Sequence, residues 1–479
     1  MAKKKTVPPP SEGRTPSQKS RQRLFAGGVT PYYGAILAVI LLTGISAVMV
    51  VSASSGEAVL RQTAQAQDPG TTLLAFGDGI NNLLFILIGV VAAAAISHID
   101  YRRFGSWSFL FAVAILFLLL YVFINAEIVL GAQRWIEIGS YSLQPSELAK
   151  PVLLVFLAYV LTYFSEARQS ARLSGSRAIG YVCMPVLIVG VSLLLIVFQP
   201  DLGTTLIITA GLLVGYSMSG YNLRFLFAII PFAFGVFIFR AFATTNYQWQ
   251  RIQGLIQGLV RGQYSHQVTQ GLYALGSGGL LGVGLGLSRQ KYFYLPEAQN
   301  DFILAVIGEE MGLFGTLLVV GAFALLMWAG LRIARGAKDR MGQVLAAGAT
   351  TILTTQAIIN LLAVIGLGPV TGKPLPFVTL GGSAMLSSFI LLGIVLSVAR
   401  FGGEDREGYE KHDSLFVRVS FAVMHAFERI SANPVPSKQR KQRSRKDPID
   451  DYEEGGEDES DLEWRWDRRS RISGPRSRP

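Results

Sequence analysis

Two short polar stretches hold the residue types that could do chemistry. In Ser288-Arg289-Gln290-Lys291-Tyr292-Phe293-Tyr294-Leu295-Pro296-Glu297-Ala298-Gln299-Asn300-Asp301-Phe302, two carboxylates and two cations stand at the mouth of an apolar run beginning at Ile303. Charge is costly at a membrane helix mouth, so a cluster of it needs a reason. Asp301 heads a long helix, near the positive end of its dipole, and reads either as an N-cap or as a catalytic base. Glu297 adds a second acid one turn upstream. Glu309 and Glu310 lie two turns inside the same helix, as functional acids or as a buried ion pair. In the second stretch, Gln144-Pro145-Ser146-Glu147-Leu148-Ala149-Lys150, Pro145 and Ser146 make a helix start that places Glu147 and Lys150 on one face at i, i+3. That pair is either a salt bridge inside the bundle or a contact for an anionic substrate. Arg134, Arg251, Arg289 and Lys291 complete an outward cationic set. A carboxylate beside cations and lipid fits a lipid-linked phosphate substrate. Deprotonating a sugar hydroxyl needs one carboxylate, whereas a diphosphate leaving group needs positive charge more than an acid.

The elements that must position these residues are membrane helices. The chain has 479 residues, of which 51% are hydrophobic and 16% charged, too apolar for an ordinary soluble chain of this size. The expected fold class is an all-α polytopic membrane protein. Apolar runs of bilayer length fall at about 32–53, 83–99, 107–128, 148–164, 179–198, 202–218, 223–239, 302–331, 344–367 and 384–398, about ten transmembrane helices. Cations in short loops, among them Arg102, Arg103, Arg168, Arg172, Arg177, Arg224, Arg332, Arg335, Lys338 and Arg340, fall on the side shared by both termini, which makes both termini cytoplasmic. The opposite side then receives the two polar stretches and a large extracytoplasmic loop, 240–300, between helices 7 and 8. Within it, Ile252, Leu255, Ile256, Leu259 and Val260 repeat at helical spacing, as in a helix lying in the outer interface or packed on its neighbours.

The remaining segments divide by composition. Residues 1–30 read as a disordered basic cytoplasmic tail, 31–400 as the membrane domain, 401–430 as a cytoplasmic segment with an amphipathic helix at Leu415 to Ile430, and 431–479 as a disordered charged tail. The net charge of +11 sits in loops and tails beside apolar spans, which favours a membrane surface over nucleic acid. The single Cys183 forms no internal disulfide, and the four histidines show no metal-ligand spacing. The glycine run from Gly276 to Gly286 lacks the Gly-Lys-Ser/Thr ending of a phosphate loop and suits close approach of backbone to lipid or a neighbouring helix.

Four stretches, in order over roughly residues 31 to 400, resemble the FtsW/RodA/SpoVE family of division, cell-shape and sporulation proteins. They are Arg134-Trp135 with Gln144 to Lys150, then Gln199-Pro200-Asp201-Leu202-Gly203-Thr204, then Tyr294 to Phe302, then Pro374-Leu375-Pro376-Phe377 with Gly381-Gly382-Ser383. The Leu-Pro-Glu-Ala form after Ser-Arg-Gln-Lys-Tyr is more similar to the FtsW branch than to the RodA branch. The resemblance implies a peptidoglycan glycosyltransferase that polymerises lipid II at the outer face of the bacterial cytoplasmic membrane, at the division septum. It would act with a class B penicillin-binding protein and other divisome proteins. A lipid II flippase and a non-enzymatic divisome scaffold are the competing readings. By the same resemblance, Asp301 is the general base toward the acceptor's 4-hydroxyl, Glu147 and Lys150 are the fourth-helix ion pair, and Arg134 and Arg251 are outer-face arginines. Arg289 and Lys291 would hold diphosphate and Glu297 would position the substrate. The resemblance leaves room for a divalent cation, magnesium or manganese, on the leaving group, and no spacing identifies ligands for one. The chain departs from the family pattern at Gln299-Asn300, where His-Thr is frequent; at Gln248-Trp249-Gln250, where arginines are common; at Lys373, where an apolar residue is usual; and at Leu380, where an aromatic is common.

Overall fold

The computed structural model describes residues 26–64, 77–125, 134–138, 141–169, 176–219, 247–292 and 294–403. These lie within one compact unit. Both tails, the Leu415 to Ile430 segment and the expected span at 223–239 fall outside the described residues. The architecture is almost entirely helical. In chain order the helices are α1 (Val29–Ala64), α2 (Gly77–His98), α3 (Phe104–Asn125), α4 (Pro145–Gln169), α5 (Ser176–Phe198), α6 (Leu202–Met218), α7 (Tyr247–Arg261), α8 (His266–Gly278), α9 (Ile303–Gly336), α10 (Arg340–Val364) and α11 (Gly382–Phe401). Among the described residues seven helices are long and apolar enough to cross a membrane, and the apolar lengths Leu187–Phe198 and Leu202–Met218 are shorter. The chain is a polytopic membrane protein.

Caps and turns set the ends of these helices. Asp201 begins α6 by accepting from the Thr204 amide at 3.2 Å, and Asp339 begins α10 by accepting from Gly342 N at 3.1 Å. Between α3 and α4 the stretch read as loop contains a small antiparallel hairpin, β1 (Ile136–Ile138) and β2 (Tyr141–Leu143), with Ile136 opposite Leu143. It is tied to the start of α11, where Ser383 Oγ donates to the Ser142 carbonyl and accepts from the Gln144 amide at 3.1 Å.

The bundle has two chemically distinct ends. At one end the Ala26 amide donates to the Ala399 carbonyl, Lys338 N donates to Gly402 O, and Arg102 reaches Asp339 at 3.0 Å. Arg102, Arg332, Arg335, Lys338, Arg340 and Arg400 lie in the segments that end there. The other end carries the starts of α4, α6, α9 and α11 and the end of α10. It holds both polar stretches.

The stretch read as one large loop is more structured than expected. It contains α7 and α8, and α8 packs against α9. Gly278 lies so close that an added Cβ would sit 1.9 Å from the Gly308 carbonyl oxygen. α9 itself is broken at Gly312, which has φ 66° and ψ −162°. The coil after α8 enters this break. Leu313 N donates to Gly279 O at 2.9 Å and Phe314 N to Leu280 O at 3.2 Å, while Glu309 O and Glu310 O accept from Val283 N and Gly284 N. Irregular backbone in a membrane protein is tolerated when protein satisfies its polar groups, and here the coil does so. The glycine run therefore serves close backbone approach to a neighbouring helix.

α7 presents Ile256, Leu259 and Val260 outward while Arg251 is half-buried. Apolar residues on the exposed face suit a helix lying in a lipid interface.

Candidate active site

Asp301 lies in the turn immediately before α9, in a segment shaped by strain and by one clamp. Glu297 adopts φ 53°, unusual for a residue with a side chain. Its carbonyl accepts from Asn300 N at 3.1 Å and Phe302 N at 3.2 Å, and its carboxylate accepts from Asn300 Nδ2 at 2.9 Å. Asp301 does not cap α9. The capping position is Phe302, with no side-chain capping bond. The main chain of Asp301 is held from α10, where Asn360 Nδ2 donates to its carbonyl at 2.7 Å and to the Lys373 carbonyl at 2.9 Å. One amide thus ties the Asp301 turn to the loop before α11.

That loop makes room beside the carboxylate. Gly372 has φ 68°, and a Cβ built there would stand 3.5 Å from Asp301 Oδ2 and 3.9 Å from Arg251 Nη1. A glycine therefore leaves an open position between carboxylate and guanidinium. Arg251 is oriented by donating to the Val370 carbonyl. Arg251 also lines a cavity of about 380 Å³, walled by α7, α8 and the 366–370 turn, with Gln250, His266 and Gln267 among its polar lining.

Burial, and next the Glu297 charge, push the Asp301 carboxyl up to about 6, against the pull of Lys373, Arg251 and Arg134. A carboxylate poised near neutral pH suits a general base.

Beneath this turn sits a buried ionic network. Lys150 donates to Glu147 Oε2 at 2.5 Å and to Gln356 Oε1 at 2.6 Å, and Gln356 Nε2 donates to the Pro374 carbonyl at 2.8 Å. Lys373 donates to Asp201 Oδ2 at 2.9 Å and faces Glu147 Oε1 at 3.7 Å. Asp201 also accepts from Gln144, Ser146 and Thr204. Burial works against its ionisation, but Lys373 and Arg134 hold its carboxyl well below the usual range. Arg134 is fastened over the α5–α6 turn by the carbonyls of Gln199 and Pro200.

The expected residues thus divide into two groups. Arg134, Glu147, Lys150, Arg251, Glu297 and Asp301 converge on one end of the bundle. Arg289 and Lys291 belong to a separate carboxylate cluster. Glu309 accepts from the amides of Arg289 and Gln290 and from Ser288 Oγ, which leaves the Arg289 side chain exposed. Lys291 does not face outward. It is 4% exposed, and its ammonium donates to Glu310 Oε1 at 3.0 Å, Ser52 Oγ at 3.0 Å and Gly286 O at 2.7 Å. All three donors are used, so no proton is left for diphosphate. Sequence reasoning passed over Gln356 and Asn360, and it noted Asp201 in a family stretch and Lys373 as a departure without giving either a place in the site. The signal for two of them was present, because Gln356 and Asn360 are polar residues four apart on one face of an apolar helix.

Among the described residues no three His, Cys, Asp or Glu side chains gather as metal ligands. Asp201 and Glu147 are engaged by lysines and Glu297 accepts from Asn300, so these three carboxylates do not form a donor set for a protein-held dication.

The family model for FtsW, RodA and SpoVE, described as "Cell cycle protein", matches residues 34–403. The chain belongs to the FtsW/RodA/SpoVE family. Stage V sporulation protein E of Bacillus subtilis is 37% identical over 322 residues, covering 67% of this chain and 86% of that protein. A probable peptidoglycan glycosyltransferase FtsW of Trichlorobacter lovleyi is 34% identical over 378 residues, 76% of this chain and 92% of that one. The fold is similar to the rod shape determining protein RodA of Thermus thermophilus, with a TM-score of 0.53 at 25% identity, covering 78% of this chain and 98% of that one. It also resembles a chain of a solved peptidoglycan synthase complex, with a TM-score of 0.58 at 23% identity and coverage of 77% and 97%. The four family stretches all meet at the Asp301 end of the bundle.

Proposed function

We propose that this family member polymerises lipid II into glycan strands, with Asp301 as the general base. The observation that carries the reading is the placement of Asp301: a half-buried carboxylate raised to about 6, beside an open position and a guanidinium, at the bundle end opposite the one where the short-loop cations gather. Short-loop cations mark the cytoplasmic side, so the Asp301 end faces outward, where a lipid-linked sugar is presented. The acceptor's 4-hydroxyl oxygen attacks C1 of the donor sugar, and its proton passes to Asp301. The C1–oxygen bond to the diphosphate breaks, and the diphosphate leaves with its lipid. Arg251, at the rim of the 380 Å³ cavity, and Arg134 supply positive charge for that leaving group. Glu147 and Lys150 act from below as the pair that fixes α4 against α10.

The synthase complex whose chain this fold resembles coordinates polymerisation with crosslinking, which supports a crosslinking class B penicillin-binding protein as partner. Work at the division septum with other divisome proteins, and a ten-span frame with both ends inside, belong to the same reading. The test is glycan synthesis from lipid II by purified protein with its transpeptidase partner. Asp301→Ala should abolish product while the protein still inserts and binds that partner. Undiminished glycan from the variant, or lipid II translocation without any polymerisation by the native protein, would sink the proposal.

A further inference from the structure

The buried network beneath Asp301 is electrically balanced by a residue that the reading above leaves without a task. Glu147 and Asp201 contribute two negative charges, and Lys150 and Lys373 two positive ones. Lys150 is committed to Glu147 and Gln356, so the ammonium that meets Asp201 directly is that of Lys373, with the Arg134 guanidinium adding positive charge. The lysine is 2% exposed, and its stem runs against Gly203, where an added Cβ would stand 2.8 Å from its Cγ. α6 has thus left space for this side chain. Its main chain is also engaged, because Asn360 holds the Lys373 and Asp301 carbonyls with a single amide. Gly372, its neighbour, is the residue beside the Asp301 carboxylate.

We propose that Lys373 is a positioning residue for the reaction: its ammonium neutralises the Asp201–Glu147 pair under the site, and its backbone locks the Gly372 turn against Asp301. The inference rests on Asp301 being the base. The charged groups that act most strongly on Asp301 are Glu297 from its own turn, Lys373 from the loop before α11, Arg251 from α7 and Arg134 from the segment before β1, and the network that Lys373 neutralises lies beneath them. Removing the ammonium gives the network an excess of one negative charge over the native protein, which disfavours an ionised carboxylate nearby. A unit charge that acts on a partly buried carboxyl moves its titration by about one pH unit.

The experiment is the initial rate of glycan synthesis from lipid II by the full chain with its transpeptidase partner, from about pH 5 to about pH 9. For Lys373→Met the acid limb should move up by about one unit, with the rate about tenfold lower on the acid side and nearly unchanged above about pH 8. Lys373→Arg should keep the native limb. Asp201→Asn leaves the opposite excess and should move the limb down, so it tests the same idea where the methionine variant does not fold. An unmoved limb in either neutralised variant, or a loss equal at every pH, overturns the proposal. Asp301→Asn tells the two failures apart: if it still makes glycan, the base assignment has failed rather than the role of Lys373.

Discussion

At the scale of single residues the site depends on how one carboxylate is held near neutrality. Burial of Asp301 and the neighbouring Glu297 raise its pKa, and three cations oppose them. If Asp301 is the base, as proposed, it works only when deprotonated, so glycan synthesis should reach half its plateau near pH 6 and fall about tenfold per unit below that. A rate profile flat through this range would show that Asp301 is not the titrating group. Glu297 permits a second check of opposite sign. Glu297→Gln removes a negative neighbour while keeping the side chain's shape, and should move the acid limb down by about half a unit. A limb that rises instead would mean that Glu297 acts on something other than Asp301.

Elements carry the next layer, and there the return coil after α8 is decisive. It closes the break in α9 with backbone hydrogen bonds, and two carboxylates anchor it. Glu310 accepts from Lys291, Ser52 Oγ and the amides of Gly286 and Ser288, and Glu309 accepts from the amides that follow. The acids two turns inside α9 therefore hold the segment that leads to Asp301. Lys291→Met strands a buried carboxylate, which should lower stability by about 3 kcal/mol. The effect is to be read as a fall in thermal midpoint of the detergent-purified protein, with the acid limb of surviving activity unchanged. A stable variant with weakened substrate affinity would return Lys291 to the diphosphate.

For the whole molecule, the two ends of the bundle have separable duties. The cation-rich end is closed by Asp339, which accepts from Tyr101, Arg102 and the Gly342 amide and so joins the turn before α3 to α10. It lies at the far end of α10 from Asn360. Asp339→Ala should cost about 1 to 2 kcal/mol in thermal stability and leave the pH dependence of glycan synthesis in place. A shifted acid limb in that variant would require coupling along α10 between the two ends.

Much of this was legible in the residues. Apolar length marks a membrane span without any tertiary information, because the bilayer sets one thickness for every helix. Asp301, Arg134, Arg251 and the Glu147–Lys150 pair were visible because charge beside apolar runs is rare and spacing on a helix puts i and i+3 together. Other assignments waited for the fold. Arg289 and Lys291 read like Arg134 and Arg251 in one dimension, yet burial and three hydrogen bonds take the Lys291 ammonium out of the site. Lys373 is 172 positions from Asp201, and only the packing of α6 against the loop before α11 makes them a pair. Composition and periodicity determined that this chain crosses a membrane and which end carries its carboxylates. Which cations face substrate and which neutralise buried acids was decided by tertiary contact, because pairing between distant segments leaves no local signal in either of them.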